Sequence, residues 1–282
     1  ELLKQATLYV TLEPCSHYGK TPPCSLLIVN SKIPKVVIGC LDTNSLVSGR
    51  GIKMLEDAGC EVITGVLEKE CRMQHRRFFT YHEKKRPHII LKWAESKDGF
   101  IAPESRNDRS PVWITNKISR QLVHQWRAQE HAILVGTTTA IEDNPKLNVR
   151  SWSGGNPTRV VIDRALRISE DSNLYDQSLK TIFLTELKRE NEINLLFEQI
   201  DFSKSIAKEI CNVLFKHHIQ SVIIEGGTKT LQTFIDAGLW DEARVFTGDV
   251  SFERGVVAPT LNLKPVDERV LGSDTLNIYY ND

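Results

Sequence analysis

The segment Ser221-Val-Ile-Ile-Glu-Gly-Gly-Thr228 joins an apolar run to a pair of glycines. The residues before the glutamate have the composition of a buried strand, and a helical pattern follows over Lys229–Ala237. Glycines at such a turn let a phosphate group approach the backbone, and the helix N-terminus supplies N–H donors. The motif is not the Gly-x-Gly-x-x-Gly dinucleotide fingerprint. Because an isolated Gly-Gly is more often only a tight turn, the surrounding elements must decide its meaning.

Strands and helices alternate around this segment, which indicates an α/β fold with a mostly parallel sheet. The predicted strands are His88–Trp93, His131–Gly136, Thr158–Asp163, Lys180–Thr185, Ser221–Glu225 and Ala243–Thr247. The predicted helices are Lys117–Arg127, Ser203–His217 and Lys229–Ala237. Residues 186–202 are charged and weakly patterned, so we predict a surface connection with some helix there.

A shorter alternation occupies the N-terminal part of the chain. Its predicted strands are Thr7–Glu13, Lys35–Leu41 and Cys60–Val66, and its predicted helices are Cys24–Ser31, Gly51–Ala58 and Leu67–Lys85. The basic, proline-ended stretch Lys84-Lys85-Arg86-Pro87 has the composition of a hinge. Because 282 residues are comfortable for two domains, we predict one domain over 1–85 and another over 86–282.

Composition and charge exclude several classes of function. Lysine plus arginine and aspartate plus glutamate each number 36, so the net charge is zero, which argues against nucleic acid and anionic membranes as partners. Purely apolar runs such as Leu26–Val29 are far shorter than a bilayer span. The opening residues show no signal-peptide pattern. Six cysteines form no disulfide framework, so we expect a cytoplasmic protein whose cysteines serve metal binding or catalysis.

Two cysteines stand at a strand-to-helix loop in Glu13-Pro-Cys-Ser-His-Tyr-Gly-Lys-Thr-Pro-Pro-Cys24. Cys24 begins a helix, so we predict a lowered pKa that favours the zinc-binding thiolate. A hydrolytic zinc centre needs three protein ligands and an open position for water, and Cys15 and Cys24 supply two. The spacing alone is equally consistent with two small buried hydrophobic side chains.

The loop TLEPCSHYGKTPPC, from Thr11, resembles the zinc loop of the bifunctional riboflavin-biosynthesis deaminase–reductase family, which belongs to the cytidine-deaminase-like superfamily. Five later motifs resemble, in order, the reductase domain of that family: LKWAESKDGFIA from Leu91, VWIT from Val112, WRAQEHAILVGTTTAIEDNPKLNVR from Trp126, PTRVVIDR from Pro157 and IIEGGTKTLQTFIDAGLWDE from Ile223. The resemblance implies an α/β protein with an incomplete cytidine-deaminase-like domain followed by a dihydrofolate-reductase-like domain.

In this family the third zinc ligand is the histidine of a His-Ala-Glu motif, and the glutamate of that motif moves protons during deamination. These 282 residues contain no His-Ala-Glu. The resemblance therefore assigns Cys15 and Cys24 as zinc ligands and leaves the third ligand outside this chain. We expect the family's zinc-binding helix to precede residue 1, and the chain as given to lack deaminase activity. His17 could substitute, but we favour a loop side chain near the pyrimidine site.

The resemblance also implies a NADPH site and a substrate site in the second domain. The NADPH positions are Ala94, Trp113, Thr139, Asp143, Arg164, Gly227, Thr228, Lys229, Thr230, Leu231, Gln232 and Thr233. The substrate positions are Arg127, Leu147, Arg150 and Glu225. Two arginines that converge on one anion suit a ribose phosphate. The chain departs from the family pattern at Asn44-Ser45 and at Ser110-Pro111, where the expected substrate serine is displaced by one residue.

We assign catalytic roles to two ionisable residues near strand ends. Glu225 follows a run with a buried-strand composition, where a carboxylate without partners would be costly. Lys92 would hold the sugar or polarise its reacting carbon, and the alternative is a surface lysine at a strand edge.

The implied reaction is the NADPH-dependent reduction of the ribosyl side chain of 5-amino-6-(5-phosphoribosylamino)uracil to the ribityl form. Zinc-dependent deamination of the diaminopyrimidine precursor accompanies it in intact family members, and the family's reductase domains suggest a homodimer. Two alternatives remain. One is a NADPH reductase of the same fold that acts on another pterin or pyrimidine, and the other is a non-catalytic nucleotide-binding protein.

Overall fold

The computed structural model describes residues 1–43, 48–105 and 112–281, so the departures at Asn44-Ser45 and Ser110-Pro111 lie outside the described residues. The chain forms two compact units, Glu1–Lys85 and Arg86–Asp282. None of the helices in the described ranges combines the length and apolar character that a bilayer crossing requires.

The first unit is a three-stranded parallel sheet with helices packed on it. Its strands are β1 (Thr7–Leu12), β2 (Lys35–Cys40) and β3 (Glu61–Thr64), in the order β1-β2-β3. Its helices are α1 (Cys24–Asn30), α2 (Arg50–Asp57), α3 (Glu68–Gln74) and α4 (Arg76–Lys84). The central strand β2 is buried, and Val36 and Ile38 pack with Ile28 and Leu55 from the first two helices. The predicted alternation of strands and helices is confirmed in this unit.

The single helix predicted over Leu67–Lys85 is wrong, because the chain breaks at His75 into α3 and α4. Cys71 and Phe79, one from each helix, pack into the same small core with Cys40 of β2. The His75 ring nitrogen Nε2 lies 2.8 Å from the Thr11 hydroxyl, which anchors the break to β1. The break at His75 lets both short helices bury an apolar face. The sequence does not reveal the break, because the helical pattern continues through it.

The second unit contains a nine-stranded sheet. Its strands are β4 (His88–Glu95), β6 (Ala132–Gly136), β7 (Thr158–Ile162), β8 (Thr181–Thr185), β9 (Leu195–Gln199), β10 (Ser221–Glu225), β11 (Glu242–Thr247), β13 (Asp267–Leu271) and β14 (Asp274–Tyr280). The strand order is β13-β14-β11-β4-β10-β6-β7-β8-β9, and neighbours from β11 to β9 are parallel. The β13–β14 hairpin is antiparallel, as is a separate ribbon of β5 (Phe100–Pro103) and β12 (Gly255–Val257).

Helices cover both faces of this sheet, as the apolar strand sequences require. They are α5 (Lys117–Gln129), α6 (Thr137–Asp143), α7 (Ile206–Lys216) and α8 (Thr228–Asp236). Leu214 of α7 and Leu231 of α8 belong to the large core on one face, and Trp126 of α5 belongs to the core on the other. The α5 N-terminus is capped by Asn116, whose side chain accepts from the Ile118 and Ser119 N–H groups. The predicted mostly parallel α/β fold is confirmed.

Two features of the second unit differ from the sequence-based expectation. Residues 186–202 contain the strand β9, so the predicted surface connection with helix is wrong. Phe197 of β9 stacks on Phe183 of β8 with ring centroids 5.2 Å apart. Leu195 and Phe197 belong to the core on one face of the sheet, and Leu196 packs against the core on the other. The charged residues that precede this short strand conceal it in the sequence. The β13–β14 hairpin is a further element that the sequence analysis did not predict.

The carboxyl ends of β4, β10 and β6 lie side by side at the centre of the sheet. The helices that follow β6 and β10, α6 and α8, pack on opposite faces of the sheet, and α/β sheets bind ligands in the crevice at such a point. Lys92 and Glu225 are register partners on β4 and β10, and Gly136 ends β6. The fold therefore gathers the predicted catalytic residues at this edge.

Candidate active site

Three buried charged side chains meet where β4 and β10 end. The Arg127 Nη2 on α5 donates to Glu225 Oε2 at 2.8 Å, and the Lys92 Nζ lies 3.8 Å from Glu225 Oε1. The three side chains are only 12–16% exposed. The carboxylate thus lies between two cations in a largely dry environment, where charge interactions are strong.

Burial and charge act in opposite directions on this cluster. Burial alone would raise the pKa of Glu225, but Arg127 and Lys92 outweigh it and lower that pKa to about 2. Burial also lowers the pKa of Lys92, and Glu225 opposes that shift. Glu225 is therefore ionised at neutral pH, and Lys92 releases a proton more readily than an exposed lysine.

Three polar atoms of this cluster are buried without a hydrogen-bond partner among the described residues: Glu225 Oε1, Arg127 Nε and Asn148 Oδ1. Leaving such an atom unpaired costs about 1–3 kcal/mol. Arg127 Nη1 donates to the Asn148 backbone oxygen at 3.4 Å, so the three residues form one site. The unpaired Arg127 Nε is a hydrogen-bond donor, and the Glu225 and Asn148 oxygens are acceptors. This combination suits a polar ligand with several hydroxyl or amino groups.

Sequence reasoning missed three residues of this site: Asn148, Phe246 and His124. Phe246 on β11 lies beside the cluster, and the centre of its ring is 6.0 Å from the Lys92 Nζ. The His124 Nδ1 accepts from the Arg150 N–H at 3.2 Å. His124 precedes Arg127 by three residues on α5, and this spacing, which places both on one helix face, was the available sequence signal.

His124 is neutral in this environment. Burial lowers its pKa to about 4, with further lowering by the positive charges of Arg127 and Arg150. Glu225 and a hydrogen bond with the Asn148 backbone act weakly in the opposite direction.

Glycines bring the N-termini of α6 and α8 together beside the charge cluster. The Gly227 N–H donates to the Thr139 Oγ1 at 3.0 Å. A Cβ atom at Gly136 would lie 2.5 Å from the Thr230 Oγ1, so any other residue there would displace the Thr230 hydroxyl. The N–H groups and dipole of α8 favour an anionic group at its start. The backbone at Gly226-Gly227 therefore fits a ligand phosphate.

The predicted cofactor residues of α8 differ in their accessibility. The Leu231 side chain is fully buried in the core and faces away from the crevice. The hydroxyl groups of Thr228 and Thr233 donate to the backbone oxygens of Val257 and Lys229. Gln232 binds Asp236 and the Thr260 N–H, at 2.7 and 2.9 Å. Among the predicted cofactor residues of α8, Gly227 and Thr230 face the N-terminus of α6. Lys229 is exposed.

The other predicted cofactor residues lie around the same edge of the sheet. Ala94 stands opposite Phe246 in the β4–β11 register, and Asp143 ends α6. The exposed Trp113 ring stacks under the Arg120 guanidinium at 4.1 Å.

Arg164 follows β7 and is 64% exposed, and its Nε binds Glu186 Oε2 at 2.7 Å. Any phosphate at Arg164 must therefore compete with Glu186.

The predicted substrate residues fall into a buried and an exposed group. Arg127 and Glu225 are bound to each other, as described above. Leu147 is buried in the core below α6 and has a positive φ of 50°, which is strained for leucine. Arg150 is exposed at the end of the same loop. That Arg127 and Arg150 converge on one anion stays a prediction.

The cysteine loop of the first unit brings Cys15 and Cys24 together, and the Cys24 N–H donates to the Cys15 Sγ at 3.3 Å. The predicted lowering of the Cys24 pKa is wrong: its hydrogen bond with the Cys15 side chain and its burial raise it. His17 is exposed, and across the described ranges no three His, Cys, Asp or Glu side chains are grouped to hold a metal ion. The residues present supply two zinc ligands, so we derive no chemical step through zinc.

Glu13 organises this loop from within. Its buried carboxylate accepts from the N–H groups of Asp42, Gly49 and Gly51 at 3.2, 3.0 and 3.0 Å. A Cβ atom at Gly51 would lie 1.9 Å from the Pro14 oxygen, so only glycine fits. Glu13 is therefore a structural residue that fixes the loop carrying Cys15.

Two family models match this chain, one in each of its two units. The family model "RibD C-terminal domain" matches residues 87–251. The model "Cytidine and deoxycytidylate deaminase zinc-binding region" matches residues 1–40, which include both cysteines of the loop.

Individual relatives extend over nearly the whole chain. A riboflavin biosynthesis protein RibD from Aquifex aeolicus is 37% identical over 95% of this chain and 76% of its own length. Its counterpart from Bacillus amyloliquefaciens is 36% identical over 92% of this chain and 71% of its own length. A crystal structure of a diaminohydroxyphosphoribosylaminopyrimidine deaminase/5-amino-6-(5-phosphoribosylamino)uracil reductase from Thermotoga maritima is 37% identical. It covers 96% of this chain and 78% of its own, with a TM-score of 0.85.

These matches confirm the fold class predicted from the motifs, a partial cytidine-deaminase-like unit followed by a RibD-type reductase unit. The family model for the second unit begins at Pro87 and includes the charge cluster and both helix starts. From the identity to these relatives and the family model that spans this site, the chain belongs to the RibD family of riboflavin biosynthesis proteins.

Proposed function

We propose that the Arg86–Asp282 unit catalyses the NADPH-dependent reduction of the ribosyl side chain of 5-amino-6-(5-phosphoribosylamino)uracil to the ribityl form. The buried cluster of Lys92, Glu225 and Arg127 carries this proposal, because it holds unpaired polar atoms beside a phosphate-binding helix start. The similar protein from Thermotoga maritima is a 5-amino-6-(5-phosphoribosylamino)uracil reductase by name, which supports the same substrate here.

The charge cluster suits the sugar chemistry of this reaction. Opening of the ribose ring breaks the bond between the ribose carbon and the ring oxygen, which takes a proton, and leaves a protonated imine whose nitrogen keeps its hydrogen. A hydride to the imine carbon then completes the reduction. A buried lysine with a lowered pKa is suited to donate the proton, and Lys92 is such a lysine. Glu225 accepts hydrogen bonds from sugar hydroxyls through its unpaired Oε1 and holds Lys92 and Arg127 in place.

The cofactor fits the glycine-lined edge of the same crevice. When bound, NADPH supplies the hydride for the ribose carbon. The start of α8 at Gly227 would hold its phosphates, because the N–H groups and the dipole of a helix start favour an anion. Thr139 fixes the orientation of this turn through the Gly227 N–H.

The decisive assay measures NADPH oxidation with the aminopyrimidine phosphate as substrate. Turnover with this compound, and little with its dephosphorylated form or with dihydropterins, supports the proposal. Preference for a pterin would favour the alternative reductase. Tight NADPH binding without any turnover would favour the non-catalytic nucleotide-binding protein.

We expect Arg164→Ala to weaken NADPH binding about tenfold more than NADH binding, because the family resemblance assigns Arg164 to the cofactor site, where its guanidinium would bind the ribose 2′-phosphate. The Glu186 carboxylate at 2.7 Å shows that the guanidinium accepts an anion there. Dissociation constants from fluorescence titration of both cofactors check this. Arg269→Ala is a matched control, since Arg269 is 63% exposed and binds Asp267 on β13. Equal weakening of both cofactors would remove Arg164 from the phosphate site.

For the first unit we propose that Cys15 and Cys24 are zinc ligands of a deaminase site. Their pairing in the structure and the zinc-binding family model over residues 1–40 support this. A catalytic site needs a third protein ligand and a proton-transferring glutamate, and the described residues bring neither to the pair.

We therefore expect a polypeptide of these 282 residues to release no ammonia from the diaminopyrimidine substrate while it still oxidises NADPH with the aminopyrimidine. Zinc content by elemental analysis and an ammonia assay check this expectation. Near-stoichiometric zinc together with ammonia release would show that His17 or another residue completes the site.

We also propose that the protein forms a homodimer, on the basis of the family resemblance. Sedimentation equilibrium tests this directly: a single species of twice the chain mass supports it, and a monomer at all concentrations contradicts it.

A further inference from the structure

His124 is a buried histidine of the active site for which the proposed reaction has no role. It lies on α5, one turn before Arg127, and its side chain is almost fully covered. The Arg150 N–H donates to its Nδ1 at 3.2 Å. Since this nitrogen accepts a hydrogen bond from a backbone N–H, it carries no proton, and the ring is held in one neutral form.

The charged groups around the ring keep it neutral. Arg127 faces it from α5 and Arg150 from the loop, and Glu225 on β10 is the opposing carboxylate. Two positive charges and burial outweigh that single negative charge, so the pKa of His124 lies at about 4. The acceptor at Nδ1 is therefore present throughout the neutral range.

The loop that leads to Arg150 is fixed residue by residue. Leu147 is buried in the core, and the Asn148 oxygen accepts from Arg127 at 3.4 Å. The Val149 N–H donates to the Asn156 side chain at 2.8 Å. The bond to His124 is the last of these anchors, and it holds the backbone of the residue that carries the exposed guanidinium.

We propose that His124 is a positioning residue that holds the Arg150 backbone, so that Arg127 and Arg150 bind the phosphate of the substrate together. The inference rests on the proposed function, because the phosphate belongs to the proposed substrate. His124 itself does not touch the reacting atoms. Its role is to keep the exposed Arg150 within reach of the phosphate that Arg127 binds.

Two substitutions separate this role from simple core packing. His124→Asn places an amide oxygen close to the position of Nδ1 and preserves the acceptor, whereas His124→Leu fills the space without any acceptor. We expect His124→Leu to raise the KM for the aminopyrimidine phosphate about tenfold, with kcat changed by about threefold or less. The Kd for ribose 5-phosphate, measured by calorimetry, should rise in parallel. His124→Asn should stay within about threefold of the wild type in both measurements.

Amide hydrogen exchange without any ligand provides a readout that does not depend on the reaction. The Arg150 amide should exchange faster in His124→Leu and at the wild-type rate in His124→Asn, while the Phe197 amide, held by Asn191, stays unchanged as a control. Unchanged Arg150 exchange and unchanged ribose 5-phosphate binding in His124→Leu would overturn the inference. Equal losses of ribose 5-phosphate affinity in His124→Leu and His124→Asn would also overturn it. The same holds if the wild-type protein binds no ribose 5-phosphate. A wild type that binds ribose 5-phosphate but fails to reduce the aminopyrimidine refutes the proposed function alone.

Discussion

Replacing Glu225 with glutamine is expected to lower reductase turnover about 10- to 150-fold, while the fold stays intact. The amide keeps the shape of the side chain but loses the charge-assisted hydrogen bonds, which are worth about 1.5–3 kcal/mol. It also leaves the cations Lys92 and Arg127 buried without their counter-charge, since Glu225 lies 3.8 and 2.8 Å from them.

The pH dependence of the variant tests the coupling to Lys92. Glu225 opposes the lowering of the Lys92 pKa by burial, so its neutralisation must lower that pKa further. If Lys92 donates a proton, activity falls as pH rises through its pKa. The alkaline limb of the profile should therefore move to lower pH in Glu225→Gln.

Steady-state kinetics of NADPH oxidation between pH 6 and 10 measures both effects. Glu198→Gln is a matched control, because Glu198 binds Lys216 and His217 at the far edge of the sheet. Wild-type kinetics in Glu225→Gln would contradict the assignment. A reduced rate with an unmoved alkaline limb would remove Lys92 as the proton donor.

Replacing Asp241 with alanine is expected to lower the free energy of unfolding of the second unit by about 3–5 kcal/mol. The Asp241 carboxylate accepts from both terminal nitrogens of Arg86, at 2.5 and 2.8 Å, and from the Ile89 N–H at 2.8 Å. Both side chains are buried, so the substitution leaves a guanidinium without its counter-ion and a backbone N–H without its acceptor.

The sign of the pH dependence follows from the same contacts. Burial alone would raise the pKa of Asp241, but the hydrogen bonds and charge of Arg86 outweigh it and lower the pKa. The stabilisation is therefore complete above the unfolded pKa of about 4, and it is lost as pH falls through the folded value. The difference in stability between wild type and Asp241→Ala should shrink in acid.

Urea denaturation followed by tryptophan fluorescence measures this stability specifically. All five tryptophans lie beyond residue 86, so their emission reports on the second unit. Asp267→Ala is the control, because it removes an exposed ion pair with Arg269 and should cost about 1 kcal/mol or less. An equal loss of unfolding free energy in the two variants would show that the Arg86–Asp241 pair stabilises the unit no more than an exposed ion pair does.

The strand sequences determined most of the architecture by themselves. Residues 222–224 and 36–40 form continuous apolar runs, and such runs are typical of parallel sheets with helices on both faces. The sequence also identified Glu225, because a carboxylate next to a buried strand must have a partner, and the structure provides Arg127. Motif resemblance then indicated the family that the comparisons established.

Other features depended on contacts between residues that are distant in sequence. The strand β9 is stabilised by Phe197, which stacks on Phe183 of β8, and the charged residues that precede β9 conceal it in the sequence. The raised pKa of Cys24 comes from its hydrogen bond with the Cys15 side chain and from burial, and its position at a helix start reveals neither. Arg164 binds Glu186 from the neighbouring strand end, and His124 receives the Arg150 N–H across a loop of unpredicted path. Periodicity and composition describe how each segment buries its own apolar face. Pairings between polar groups follow from the packing of whole elements, so only the tertiary structure decided them.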